Sequence, residues 1–408
     1  MAALMTTPAD ALDLILGEII PLPLEYVSLS EASGRALAED ILSQEAVPPF
    51  TNSAMDGFAV RHLDIRPRIQ LPVVGIVAAG QVPHRGLQAG SAIRIMTGAP
   101  LPAGADTVVP LEHTRHGNHW VEFPHPVERG AHIRWAGEDI APGARVLAAG
   151  TQLKPAAIGV LASIGVASIP VTLRPRVVVM STGNELVDAS QCPGPGQIRD
   201  SNVPGICSQI AAMGAIPLAM PRIPDTKEQV LTAILEALEI SDVLMTTGGV
   251  SEGDFDFVKN VLGELGAKQI FWRVAHRPGG PFGFWTLNGK LIFGIPGNPV
   301  SAMVMVEEYV RPALRKMMGF RHCFRPQRNA ILVENWKKPK ADGKTHFLRV
   351  VLQEGSQGLK AHLTGSQGSG VLSSMLLADG LAVVEADTLE LQIGDSVPVH
   401  LTELPEDH

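Results

Sequence analysis

Thr246-Thr-Gly-Gly-Val-Ser-Glu-Gly-Asp-Phe-Asp-Phe257 directly follows the apolar run Val243-Leu-Met245, and this stretch decides the fold. It reads as a short buried strand opening into a glycine-rich turn, with a helix starting near Asp256 and continuing through Phe257-Val-Lys-Asn-Val-Leu262. Glycines at such a turn let backbone N–H groups approach an anion, and the helix N-terminus adds a favourable dipole. The same turn carries Asp254 and Asp256, which would repel a bare phosphate. An anion cradle lined with acids makes sense when a divalent cation bridges carboxylates and phosphates. The loop therefore points to metal-assisted chemistry on a phosphorylated ligand.

Around this loop the chain alternates strands and helices. Strands are expected at 176–180, 216–220, 243–245 and 270–275, helices at 205–213, 226–238, 257–265 and 300–318, and a hairpin near Asn288-Gly289. That alternation predicts a doubly wound, mostly parallel sheet. After Gly319 the sequence turns all-β, with turns at Asp342-Gly343, Gly355, Gly365 to Gly370, Asp379-Gly380 and Gly394-Asp395, and reads as a small barrel or sandwich. The first 45 residues read as helices at 9–20 and 28–38, with Ser28 and Glu31 in a capping-box pattern. Past Pro48-Pro49, residues 51–139 are β in character, and 140–173 are mixed, with a helix at 154–164. The pattern is that of a β domain inserted into an elongated helical arm.

At 408 residues the chain exceeds one ordinary core, so several domains are expected. Hydrophobic residues at 45% and charged residues at 18% describe a soluble globular protein. A net charge of −8 argues against a general nucleic-acid or anionic-membrane surface, so an anionic ligand must be held by local geometry. Three cysteines give no disulfide framework and no metal-site spacing, which fits a reducing cytosol. Residues 9–21 carry acids and no basic leader, so they do not read as a signal peptide, and no run of about 18 apolar residues appears. A cytoplasmic protein is expected.

Open α/β sheets bind ligands beyond the carboxyl ends of their strands. Two loops qualify, Ser181-Thr-Gly-Asn-Glu-Leu186 and Thr246-Thr-Gly-Gly-Val-Ser251, which place Thr182, Gly183, Thr247, Gly248, Gly249 and Ser251 around an anion. Glu185 and Asp256 are the acids best placed beside the glycines; Asp256 also reads as a helix cap. Asp225, with Glu228 three residues on, reads as a cap of helix 226–238, and it too follows a strand at the same sheet edge. Pro296-Gly-Asn-Pro299-Val-Ser301 ends a strand and starts a helix, which suits either capping or an anion. Ser53-Ala-Met-Asp56-Gly-Phe-Ala-Val60 sets an acid in a tight turn, and Met96-Thr97-Gly to Asp106 is a rigid proline-containing loop. Arg273, His276 and Arg277 before Pro278-Gly-Gly could pair a phosphate or simply be solvated charge. His113, His116 and His119 alternate strand faces around Gly117-Asn118 and read as structural rather than metal-ligating.

Together these motifs, with Ile198-Arg-Asp-Ser-Asn202, resemble the molybdopterin molybdenumtransferase family (bacterial MoeA and the gephyrin E domain) in order and spacing over essentially the whole chain. The resemblance implies a multidomain α/β plus β fold: an elongated helical arm at 1–50 and 140–173, an inserted β domain at 51–139, a doubly wound MogA-like molybdopterin-binding α/β domain at 174–320, and a C-terminal β-barrel at 321–408. It implies an L-shaped subunit and a homodimer whose cleft lies between the α/β domain of one subunit and the inserted β domain of the other. The implied reaction cleaves adenylylated molybdopterin with a divalent cation, Mg2+ foremost, and delivers molybdate to the dithiolene with release of AMP. By motif position it implies Asp56, Thr97, Glu185, Asp225 and Asp256 as catalytic, with Glu185, Asp225 and Asp256 on the metal. Asp139, Pro296, Pro299 and Ser369 join the substrate-binding set with Arg273 and Arg277. The molybdopterin adenylyltransferase is a candidate partner.

The chain departs from the family pattern in carrying Arg277-Pro-Gly-Gly280-Pro where Lys-Pro-Gly-Lys-Pro is usual, Arg273 for a further lysine, and Asn184 for a frequent aspartate. Arginine keeps the charge but not the tunable proton, and Gly280 removes one anion contact. Competing readings are an adenylyltransferase of molybdopterin, a tungstate-preferring paralogue and a non-enzymatic scaffold. The inserted β domain and the C-terminal β domain speak against the first, and retention of Glu185, Asp225 and Asp256 speaks against the last.

Overall fold

Strand Val243–Thr247 lies inside a six-stranded sheet of order Ile216–Ala219, Arg176–Ser181, Val243–Thr247, Lys290–Ile295, Gly283–Leu287, Lys268–Trp272. Only Gly283–Leu287 runs against the others, because the Asn288-Gly289 hairpin reverses the chain. Both hairpin residues have positive φ (50° and 77°), as a two-residue primed turn requires. Along Arg176–Ser181, Val177 and Val179 pack into one hydrophobic cluster and Val178 and Met180 into another. Burial on both faces is why this strand is a continuous apolar run rather than an alternating one.

The computed structural model describes residues 5–248, 257–355 and 358–402. It divides into two units, Met1–Glu25 with Gly34–Ala38 and Val171–His408, and Tyr26–Ser33 with Glu39–Pro170.

In the first unit, helices Asn202–Ala212 and Pro299–Met305 pack in one cluster, and Lys227–Ile240 and Phe257–Glu264 in the other. The helix from Pro299 passes through a π-turn at Val306–Val310 and ends at Met317. Pro312 lacks an N–H for the Glu308 carbonyl, and the widened turn just before it relieves that conflict. The N-terminal helix, Pro8–Gly17, is capped by Thr7, whose Oγ1 accepts the Asp10 N–H at 3.1 Å. Its Ala11 and Ile15 are fully buried in the same cluster as Val306 and Tyr309.

The all-β segment closes into a barrel. Strands Gln327–Leu332, Ser396–Leu401, Gly380–Val384, Thr345–Gly355 and Gly358–Leu363 pair in a ring back to the first. Leu348, Val350 and Leu352 fill its core, while Phe347 packs into the cluster of the α/β layer. His276–Arg277 adds a short parallel strand to Thr345 and His346. The barrel is thereby stitched to the loop that follows Arg277.

The second unit centres on a six-stranded sheet of order Thr107–Pro110, Gly57–Val60, Ala92–Ile95, Gln70–Val77, Trp120–Glu122, Arg115–His116. A Cβ at Gly57 would fall 2.1 Å from the Val109 carbonyl oxygen, so close strand approach demands glycine there.

Two expectations need correction. Residues 28–38 form only one helical turn, Leu29–Ala32, because Gly34 turns the chain at φ 79°; the Ser28 N–H to Glu31 Oε2 bond of the capping box is present at 3.2 Å. Residues 24–28, expected to lie between helices, form the strand Leu24–Ser28. Among the described residues no helix is long and apolar enough to cross a membrane.

Candidate active site

Beyond the carboxyl ends of the parallel strands lies an open cleft of about 1010 Å³, contained in the first unit. One wall is backbone. Strand Arg176–Ser181 delivers Thr182, Gly183 and Glu185, strand Val243–Thr247 delivers Thr247 and Gly248, and strand Lys290–Ile295 delivers Pro296 and Gly297. These turns touch one another. A Cβ on Gly248 (φ 83°) would lie 2.8 Å from the Thr182 carbonyl oxygen, and one on Gly297 would meet Gly248 Cα at 3.7 Å. A Cβ on Gly183 (φ 151°) would lie 2.7 Å from Glu185 Oε2, so the glycine makes room for the carboxylate. Thr182 Oγ1 is buried without a hydrogen-bond partner, which leaves a polar group ready for a ligand.

Asn202 holds this wall together. Its Nδ2 donates to Thr247 Oγ1 at 2.7 Å and to the Gly297 carbonyl at 2.8 Å. Asp200 accepts the N–H groups of Asn202 and Val203 and the hydroxyl of Ser181 (2.6 Å), so it caps one helix and ties it to a strand end. Sequence reasoning used the 198–202 motif only for resemblance. Its polar residues directly before a helix were the available signal.

Asp225 does not cap its helix. Thr226 occupies the N-cap without a side-chain cap bond, and Asp225 Oδ2 instead accepts the Asn184 N–H at 3.1 Å, while Asn184 Oδ1 accepts the Asp225 N–H at 3.4 Å. That reciprocal pair fixes the two loops side by side and leaves Asp225 on the cleft with Glu185. Both are hard oxygen donors, the set that suits a partly hydrated Mg2+ rather than a soft metal. Among the described residues no cluster of three or more acid, His or Cys groups could hold a metal. Asp256, with Gly249 and Ser251, lies outside the described residues.

The other wall is made of side chains and includes Arg277, Lys344, Arg349 and Ser369. Gly279 (φ 96°) lets the loop after Arg277 pack on the helix start, 3.2 Å from where its Cβ would meet Ser301 Cβ. Arg277 Nε pairs with Asp342 Oδ2 at 3.0 Å, and His346 Nε2 reaches the same oxygen at 3.2 Å. Asp342 is half-buried, which opposes its ionisation, but His346, the Lys344 N–H and Arg277 outweigh that and lower its pKa. Arg349 is 1% exposed, donating to Ser374 Oγ (3.1 Å) and the Gly368 carbonyl (3.1 Å); burial lowers its pKa to about 10. It thereby fixes the loop bearing Ser369, whose carbonyl accepts the Val300 N–H at 3.2 Å. His276 is fully buried, its Nδ1 donating to the Pro278 carbonyl at 2.8 Å, and burial drives its pKa down to about 3. The imidazole is neutral and structural.

The structure gathers Thr182, Gly183, Glu185, Asp225, Thr247, Gly248, Arg277, Pro296 and Ser369 on one cleft. Arg273 and Pro299 are not on its lining: Arg273 donates its N–H to the Phe282 carbonyl at φ 88°, and Pro299 is the first helical residue. Asp56, Thr97 and Asp139 belong to the second unit. There Asp56 Oδ1 accepts both the hydroxyl and the N–H of Thr97 at 2.7 Å, and these two bonds lower the carboxyl pKa. Asp139 is exposed. His116 packs on Phe58 with ring centroids 5.4 Å apart, as a structural histidine does.

Three family descriptions match consecutive parts of the chain: "MoeA N-terminal region (domain I and II)" at residues 6–165, "Probable molybdopterin binding domain" at 178–316, and "MoeA C-terminal region (domain IV)" at 329–402. The chain is 36% identical over 384 residues to molybdopterin molybdenumtransferase 2 of Mycobacterium tuberculosis, covering 91% of this chain and 94% of that protein. It is 35% identical to the molybdopterin molybdenumtransferase of Haemophilus influenzae, covering 94% and 95%. The crystal structure of a molybdopterin biosynthesis moeA protein from Pyrococcus horikoshii superposes with a TM-score of 0.85 at 28% identity, covering 98% of this chain and 100% of that one.

Proposed function

Because this chain belongs to the molybdopterin molybdenumtransferase family, we propose that it cleaves adenylylated molybdopterin and inserts molybdate into the pterin dithiolene, giving molybdenum cofactor and AMP. The observation that carries this reading is the two-walled cleft, with a glycine-lined backbone wall bearing two carboxylates facing a wall of cationic side chains. Such a cleft suits a ligand that joins phosphates to a second anionic centre.

The Thr182-Gly183 and Thr247-Gly248-Gly249 loops, with Ser251, bind the phosphates. Glu185 and Asp225, with Asp256 as the third acid, would hold Mg2+, which supplies charge neutralisation on the anhydride oxygens. Arg277 and Ser369 bind the anionic pterin end, Pro296 and Pro299 shape the turn that closes the cleft floor, and Arg273 adds positive potential behind it. The protein works as a homodimer in which Asp56, Thr97 and Asp139 of a second copy complete the cleft. The bonds from Thr97, which keep the exposed Asp56 carboxylate ionised, support a role in polar chemistry. The four-part division at 1–50 with 140–173, 51–139, 174–320 and 321–408 belongs to this reading, as do a cytoplasmic location and hand-over from the molybdopterin adenylyltransferase.

The test is AMP formation from adenylylated molybdopterin with molybdate, run beside ATP with molybdopterin. Molybdate-dependent AMP in the first arm supports the transferase; adenylylated product in the second would point to the adenylyltransferase instead. Asp256→Ala is expected to abolish AMP release while the dimer, measured by light scattering, persists. Full turnover in that variant would sink the metal-site assignment.

A further inference from the structure

Gly280 lies in the cleft wall after Arg277, yet its φ is not in the left-handed region, so nothing in its backbone calls for glycine. The space its side chain would occupy is filled from another segment. A Cβ there would lie 3.3 Å from Lys344 Nζ and no nearer than 3.7 Å to any other atom outside its own loop neighbours. Lys344 precedes strand Thr345–Gly355 of the barrel, and its position is set from both sides. Its N–H donates to Asp342 Oδ1 at 3.2 Å and its carbonyl accepts from Lys338 Nζ at 3.0 Å.

Asp342, the carboxylate closest in sequence, is already engaged by Arg277 and His346. Among the described residues Lys344 Nζ has no hydrogen-bond acceptor or ion-pair partner of its own. Partial burial lowers its pKa, and the neighbouring guanidinium of Arg277 lowers it further, with Arg273 adding to the effect and Asp342 opposing it. A cation held among cations with an unused donor set is complementary to an anion that has yet to arrive.

We propose that Lys344 is an oxyanion-binding residue of the cleft, donating from the barrel side to a free tetrahedral dianion in the space beside Gly280. This rests on the transferase reading for the identity of that dianion as molybdate, while the anion site itself rests on the geometry alone. Lys344 thereby places a specificity-determining contact on the barrel rather than on the α/β domain.

The experiment uses the full chain as wild type, Lys344→Ala, Lys344→Arg and the double variant Lys344→Ala with Gly280→Lys. Molybdate alone is titrated calorimetrically, and AMP release is measured twice, varying molybdate at saturating adenylylated substrate and varying substrate at saturating molybdate. Lys344→Ala is expected to weaken molybdate binding and raise its half-saturating concentration about tenfold, the scale of one charge-assisted hydrogen bond. The half-saturating concentration of adenylylated substrate stays within about twofold by the same reasoning. Lys344→Arg and the double variant, which return a cation to the same space, recover most of the loss. An unchanged molybdate affinity, a rise confined to the adenylylated substrate, or no recovery in the double variant would overturn the proposal. Wild-type protein that binds molybdate but releases no AMP would instead count against the transferase reading, with the calorimetric comparison still deciding Lys344.

Discussion

The two walls of the cleft are built on opposite principles. The strand-end wall presents backbone: Gly248 crowds the Thr182 carbonyl, Gly183 makes room for the Glu185 carboxylate, and Asn202 ties the Thr247 and Gly297 loops by side-chain hydrogen bonds. The barrel wall presents long cationic side chains, Arg277, Lys344 and Arg349, brought together from segments up to 72 residues apart in sequence (349 − 277). At Gly248 the first wall tolerates no side chain, because a single Cβ would displace the Thr182 carbonyl. The second can move a charge from one segment to another and keep the same ammonium in the same space.

The largest expected effect breaks the backbone wall. Gly248→Val adds a side chain at φ 83° and 2.8 Å from the Thr182 carbonyl, so the loops must separate. The kcat/KM for AMP release should fall about 10²-fold or more, the scale of an ångström's misplacement; retained activity would mean that the loop contacts do not set the site. A second test probes the hinge of the barrel wall through pH. His276 has its pKa depressed to about 3, so below about 6.5 the unfolded chain takes up a proton that the native state refuses. Stability is therefore full above that pH and is lost as pH falls toward 3. Between pH 6.5 and 4.5 the loss is about 2 kcal/mol, and urea unfolding of His276→Asn should lack that component. An identical pH slope in the variant would contradict the neutral buried imidazole. The smallest effect sharpens the role of Asn202. Asn202→Ala removes two bonds, at about 1 kcal/mol each, and should lower activity about tenfold, as read by thermal unfolding beside AMP release.

The same contrast explains what could be read in the sequence. The strand-end wall was legible because each loop must follow an apolar run and carry glycine where the backbone crowds, so Thr182-Gly183 and Thr247-Gly248 announce themselves locally. The barrel wall was not. Lys344 and Arg349 sit in an ordinary β stretch, and only the closure of the barrel and its stitch through His276–Arg277 bring them to the cleft. Counting charge along the 277–281 loop suggested a missing cation at Gly280, whereas the fold supplies one from Lys344. Asp225 was ambiguous for a related reason. Its spacing to Glu228 matched a helix cap, and only the neighbouring loop, through Asn184, shows that its carboxylate is turned to the cleft instead. In the N-terminal region the capping box of Ser28 and Glu31 suggested a helix over 28–38, but Gly34 ends it after one turn. The parallel sheet and the all-β C-terminal segment followed from pattern alone, while closure of that segment into a barrel depended on pairing between its first strand and Gly358–Leu363.

The most direct measurement is a crystal structure of the protein with adenylylated molybdopterin bound in the absence of divalent cation. The account predicts the anhydride phosphates seated against the Thr182-Gly183 and Thr247-Gly248 loops, with the pterin end directed to Arg277 and Ser369. Phosphates seated only on the barrel side chains, with the glycine wall untouched, would contradict it.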